Sequence, residues 1–129
     1  MSASIEQEVV IPASPRRVYE ALTDAKTFSA FTGGKPAEIE GKAGGVFSCF
    51  GGMILGRNVE LVPERRVVQA WRVANWPDGV FSIVRFELVP AGAGTKLSFF
   101  QAGFPDDARG HLEAGWHKMY WEPLRTYLG

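Results

Sequence analysis

The sequence holds one long amphipathic helical segment, and it comes last: PDDARGHLEAGWHKMYWEPLRTYLG, Pro105 to Gly129. At about 100° per residue, Leu112, Trp116, Met119, Tyr120, Leu124 and Tyr127 share one broad apolar face. Trp121 and Leu128 fall at its edge, and Lys118, Glu122 and Arg125 lie opposite. A face this wide has to be buried against another layer of the same domain. Asp106 and Asp107 complement the positive end of the helix at its start. Pro123 lacks an N–H and clashes with the carbonyl four residues back, which predicts a bend at Met119. Gly115 allows a close backbone approach or a second bend.

The layer that receives this helix is read from the residues before it. SIEQEVVI alternates, with Ile5, Val9 and Ile11 on one face, and reads as a strand. Ser14 is a good helix N-cap, Pro15 suits the first helical position, and Val18, Ala21 and Leu22 then share a face. Asp24 caps a second short helix, AKTFSAF, presenting Phe28 and Phe31, and TGGKP ends it. Glycine-punctuated strands come next: a weak AEIEG, a pair in GGVFSCFGGMILGRNVELVP turning at Gly51-Gly52, ERRVVQAWRVANW, VFSIVRFELVP after a PDG turn, and TKLSFFQAGF after AGAG. Val80, Val84, Phe86 and Leu88 form one face of VFSIVRFELV, and Phe81, Ile83, Arg85 and Glu87 the other, with Arg85 and Glu87 at its solvated end. Sequential turn-linked strands favour an antiparallel sheet. The expectation is a single α+β domain over residues 1–129: a strand, two short helices, about six antiparallel strands and a long helix gripped by the curved sheet.

Composition excludes several classes. The 129 residues are 46% hydrophobic and 22% charged, with Lys plus Arg and Asp plus Glu at 14 each. That balance lacks the basic excess of a nucleic-acid binder. PRR at 15–17 and ERR at 64–66 are short and separated. No apolar run has the length of a membrane span. The start, MSASIEQEVV, is acidic where a signal peptide is basic, and the single cysteine cannot form an intrachain disulfide. A cytoplasmic protein with neither nucleic-acid nor membrane partners is expected.

The residues give no catalytic constellation. The soft or borderline metal ligands are Cys49, His111 and His117, and the two histidines fall about 120° apart on a helix, so no metal site is expected. Cys49 sits in an alternating strand beside Phe47 and Phe50, the setting of a buried inert thiol. GKAGGVFSCFGG is glycine-rich but leads into a strand, whereas phosphate loops lead into a helix. No cofactor is expected. What remains is an unusual stock of aromatics. Phe47, Trp71, Phe81 and Phe99 from the strands, and Trp116, Tyr120 and Trp121 from the helix, are the candidate lining of a ligand cavity between helix and sheet. Trp71 and Trp116 are expected on the same side of the sheet, mostly buried. Trp116 and Trp121 lie about 140° apart on a regular helix, which argues for a gap between them.

Six stretches, ASPRRVYEALTD, GGVFSCFGG, ELVPERRVVQAWR, NWPDGVFS, TKLSFFQAGFP and GWHKMYWEPLRTYL, together resemble the C-terminal domain-like family of activators of the heat-shock-protein-ninety ATPase. That family belongs to the START-like (SRPBCC, helix-grip) superfamily. Trp71, Trp76-Pro77 and Gly115-Trp116 are the more specific marks. The resemblance implies the helix-grip fold and a cavity. The leading functional expectation is a non-enzymatic binding module for a small apolar or aromatic molecule. A chaperone-ATPase regulator in stress response comes second, because eukaryotic activators carry a further N-terminal domain and this sequence starts at the first helix-grip strand. A polyketide-cyclase-like enzyme comes third.

Overall fold

The computed structural model describes residues 4–129. Its elements are β1 (Ser4–Ile11), α1 (Pro15–Thr23), α2 (Ala25–Phe31), β2 (Glu38–Ile39), β3 (Val46–Cys49), β4 (Ile54–Val62), β5 (Arg66–Val73), β6 (Ser82–Ala91), β7 (Gly94–Ala102), α3 (Arg109–Trp116), a π turn (His117–Trp121) and α4 (Glu122–Leu128). The strands pair antiparallel in the order β1-β7-β6-β5-β4-β3-β2. Only β1 leaves sequence order, pairing with β7 from Ser4↔Ala102 to Ile11↔Thr95. The last three helical stretches run on without a break as one helix across the inner face of the sheet. The helix-grip α+β architecture is therefore the observed one.

Local chemistry sets the element ends. The Ser14 hydroxyl accepts a hydrogen bond from the Arg17 N–H at 3.3 Å, and Pro15 occupies the first turn of α1. The Asp24 carboxylate caps α2 through the Thr27 N–H at 3.0 Å, and this bonding holds its pKa below the usual value. Strand alternation assigns the faces. Ser82, Val84, Phe86 and Leu88 of β6 are buried, while Ile83 and Arg85 are exposed.

The helix departs from regular α geometry where the sequence places proline. Within the π turn the Glu122 N–H bonds the His117 carbonyl, an i→i+5 step, and Pro123 comes directly after it in α4. The wider turn absorbs one extra residue and accommodates a proline that a regular helix would exclude. Every side chain beyond it is rotated relative to a regular helix, which corrects two expectations. Tyr127 is 47% exposed rather than part of the apolar face. Trp121 is fully buried, and its ring stacks beside Trp116 at 5.7 Å and 21° instead of diverging from it.

Both indoles are tied to glutamines of the sheet. Trp116 Nε1 donates to Gln101 Oε1 at 2.8 Å, and Trp121 Nε1 donates to Gln7 Oε1 at 2.7 Å. Gln101 Nε2 continues to Ser82 Oγ at 3.0 Å, and Ser82 Oγ to the Trp71 carbonyl at 2.8 Å. Buried polar groups need such partners, so these chains fix how the helix sits on the strands.

Candidate functional site

The aromatic helix and the sheet leave little room at their centre. Between Phe47, Phe86 and Tyr120 a space of about 10 Å³ remains, room for one water. The large concavity lies to one side. It is a groove of about 930 Å³ between the first half of the C-terminal helix and the end of the sheet where β4 begins and β5 finishes. Ile54, Trp71 and Val73 come from these strands, and Leu112, Gly115, Trp116, Met119 and Tyr120 from the helix. The turn before β4 adds Phe50 and Met53, the loop after β5 adds Asn75, Trp76 and Pro77, and the helix approach adds Pro105, Asp107 and Ala108. Lys35 and His111 complete the rim.

Three tryptophans define the deep wall. Trp71 lies 5.0 Å from Trp116 and 5.9 Å from Trp76 between ring centroids, and all three are largely buried. Trp71 and Trp116 thus share the inner side of the sheet. A Cβ placed on Gly115 would meet no atom within 4 Å, so its bare backbone opens onto the groove. Phe50, held at φ 54°, presents its ring both to the groove and to Tyr120 at 5.8 Å. A non-glycine residue in that region is uncommon.

One wall is held by a buried cation. Arg72, on the outer side of β5, donates from Nη1 to the carbonyls of Pro77 (3.0 Å) and Val80 (3.1 Å). Its Nη2 donates to the carbonyls of Trp76 (2.7 Å) and Ala74 (3.2 Å). The guanidinium also sits 5.5 Å from the Phe81 ring centre. Four carbonyls gathered on one rigid fork shape the loop that carries Asn75, Trp76 and Pro77 over the groove.

Of the residues expected to line a cavity, Trp71, Trp116 and Tyr120 meet in this groove. Phe47 borders the small central space instead, and Phe99 and Trp121 are packed in the core, 5.4 Å apart. Phe81 is 46% exposed on the outer face, because the inward positions of β6 begin at Ser82. The open space is accordingly lateral, not central: the π turn swings Trp121 inward and fills the gap that a regular helix would leave. Phe50, Met53, Lys35 and the Arg72 clamp were not among the residues that the sequence pointed to for this wall. The Trp71-Arg72 pair ahead of NWPDG was the one signal that pointed to the clamp.

The groups available for chemistry are subdued. Burial pushes the Cys49 thiol up to about 12, so it stays protonated and non-nucleophilic at neutral pH. Burial, and then the nearby Cys49, raise the Tyr120 hydroxyl well above its ordinary value. Trp71 Nε1 lies near that hydroxyl but out of hydrogen-bond geometry, and it is the one buried side-chain donor without a partner among the described residues. Cys49 is interior while His111 and His117 are exposed, so these three do not converge.

The model of the family described as "Activator of Hsp90 ATPase homolog 1-like protein" matches residues 12–129. The chain belongs to that family. It is 30% identical over 116 residues to the human activator of 90 kDa heat shock protein ATPase homolog 1, covering 90% of this chain and 34% of the human protein. A Dictyostelium discoideum homologue is 35% identical over 106 residues, 81% of this chain and 27% of that protein. The chain therefore spans about a third of the length of these relatives. Among solved structures, an HSP90 activator from Plasmodium falciparum superposes with a TM-score of 0.89 at 28% identity, covering 100% of this chain and 96% of that one. A Micromonospora echinospora protein, CalU16, shares the fold at a TM-score of 0.77 and 23% identity, covering 99% of this chain and 76% of that one.

Proposed function

We propose that this family member is a non-enzymatic binding module whose lateral groove takes a small planar apolar or aromatic molecule. The observation that carries the reading is the groove itself: about 930 Å³, walled by three tryptophans and open over Gly115. Ligand sites are concavities of this size with apolar walls and a few polar groups. Its aromatic faces suit a flat ring. The protonated Cys49 and Tyr120 offer no activated nucleophile or base, which counts against cyclase-like chemistry. We propose the cytoplasm as its compartment, with which a free buried thiol is compatible. Among the described residues no helix is long and apolar enough to cross a membrane.

The test uses the neutral dye N-phenyl-1-naphthylamine with wild-type protein and Gly115→Leu. A Cβ at this position meets open space and leucine is the better helix former, so the variant is expected to fold. Saturable dye fluorescence lost in Gly115→Leu supports the groove; a folded wild type that binds no dye overturns it.

A second reading, a regulator of a chaperone ATPase in the stress response, is favoured by the names of the relatives and by the outer face of the sheet. There Phe81 and Ile83 are 46% and 45% exposed, and Phe100 lies opposite Arg85, under its guanidinium. An uncovered apolar patch on a sheet marks an interaction surface. Its test is the ATPase rate of an Hsp90-type chaperone with added protein. Stimulation by wild type that is lost in Phe81→Ser but kept in Gly115→Leu assigns the activity to the outer face.

A further inference from the structure

We infer that the groove selects an anion: a flat aromatic ring system carrying a carboxylate, sulfonate or similar acidic oxygen group. The inference rests on the groove reading above and adds the charge of the ligand to it. The walls account for the ring. Trp71, Trp76 and Trp116 present aromatic surface, and bare Gly115 leaves space for a slab to slide against the helix.

The charge is argued from the cations. Arg72 is 8% exposed, and its hydrogen bonds all go to neutral carbonyls. No carboxylate pairs with it among the described residues. Carbonyl dipoles solvate a cation without cancelling its charge, and a buried charge is screened less than one in water. This cation stands directly behind the loop that forms the groove wall. In a planar trans peptide the N–H points opposite to the carbonyl. With the Ala74 carbonyl turned to Arg72, the Asn75 N–H is therefore turned away from the guanidinium, on a residue that lines the groove. Lys35 supplies the second positive charge. It has no acidic partner among the described residues, and its Nζ lies 5.9 Å from the ring centre of Phe50, which also lines the groove. Asp107 is the carboxylate on the lining, and it sits in the turn that enters α3, where the positive helix end offsets its charge. On the lining Lys35 and Asp107 cancel in formal charge, so the positive excess comes from Arg72 behind the wall loop.

The experiment compares two dyes with the same ring system, anionic 8-anilinonaphthalene-1-sulfonate and neutral N-phenyl-1-naphthylamine. Both are titrated into wild type, Lys35→Glu and Gly115→Leu. Lys35 is exposed in a loop, so its replacement leaves the fold intact. The expected result is that wild type binds the anionic dye more tightly, that Lys35→Glu weakens it about five- to tenfold while changing the neutral dye far less, and that added salt weakens the anionic dye alone. Equal affinity for the two dyes, or an equal effect of Lys35→Glu on both, overturns the anion inference and leaves the groove standing. Failure of both dyes to bind, or binding indifferent to Gly115→Leu, overturns the groove reading itself.

Discussion

Deleting Lys118 tests the proposition that the π turn sets the phase of the C-terminal helix. Lys118 is exposed within His117–Trp121, so the deletion removes a residue of the turn without removing a buried side chain. On a regular helix of about 100° per residue, Trp121, Leu124 and Leu128 would lie about 140°, 80° and 120° from Trp116. With one residue deleted they lie within about 40° of it, and Tyr127 turns about 80° away, which is the observed burial pattern. The shortened helix can therefore become regular and keep its core. It then has to place Pro123 in a regular interior, which costs about 3 kcal/mol. The expected loss is about 3 kcal/mol for the deletion alone and under about 1 kcal/mol when it is made in a Pro123→Ala background. If the turn does not set the phase, the deletion rotates three buried side chains outward at about 2–3 kcal/mol each and unfolds a domain of this size. Urea unfolding monitored by tryptophan fluorescence distinguishes the cases. Equal and severe destabilisation with and without Pro123 refutes the reasoning.

Trp116→Phe strands the Gln101 Oε1, which is fully buried, and should lower stability by about 2–4 kcal/mol in urea unfolding. Gly56→Ala drives a Cβ into the Phe47 ring and the Ala70 carbonyl, so a loss of about 3 kcal/mol is expected in the same measurement. Stability should fall in alkali. Cys49 has a folded pKa of about 12 against an ordinary 9.0, so its stabilising contribution is complete below about pH 9 and is lost as pH rises towards 12. The slope is at most about 1.4 kcal/mol per pH unit for each proton, Tyr120 adds to it in the same direction above its ordinary 10.0, and Cys49→Ala should flatten the fall in urea titrations across that range.

Much of the architecture was legible because it rests on local rules. Ser14, Pro15 and Asp24 mark helix starts through hydrogen bonds made within three residues. Alternation in β6 told its faces apart, and the same alternation already put Phe81 outward, against its inclusion in the cavity. The groove was harder to read. Its lining comes from stretches between Lys35 and Tyr120, and no local pattern records which of them become neighbours. Arg72 shows the difficulty: its side chain belongs to the outer face by register, yet it is buried because the loop at 74–80 folds over it.

The sequence by itself determined the order of elements, the caps, the inward residues of the central strands and the need for an aromatic helix to close the sheet. These rest on periodicity and on hydrogen bonds between near neighbours. Tertiary structure decided the phase of the second half of that helix. Pro123 announced a bend, but a bend can be made as a kink or as an extra residue in the turn, and only the second rotates the remainder of the helix about its axis. The fit of Trp121 to Gln7 and of Leu124 and Leu128 to the core suits the extra residue, and these are contacts between segments far apart in the chain. With Trp121 inside, the centre filled and the open space moved to the side of the helix, where Trp76 and the Arg72-bound loop form its wall.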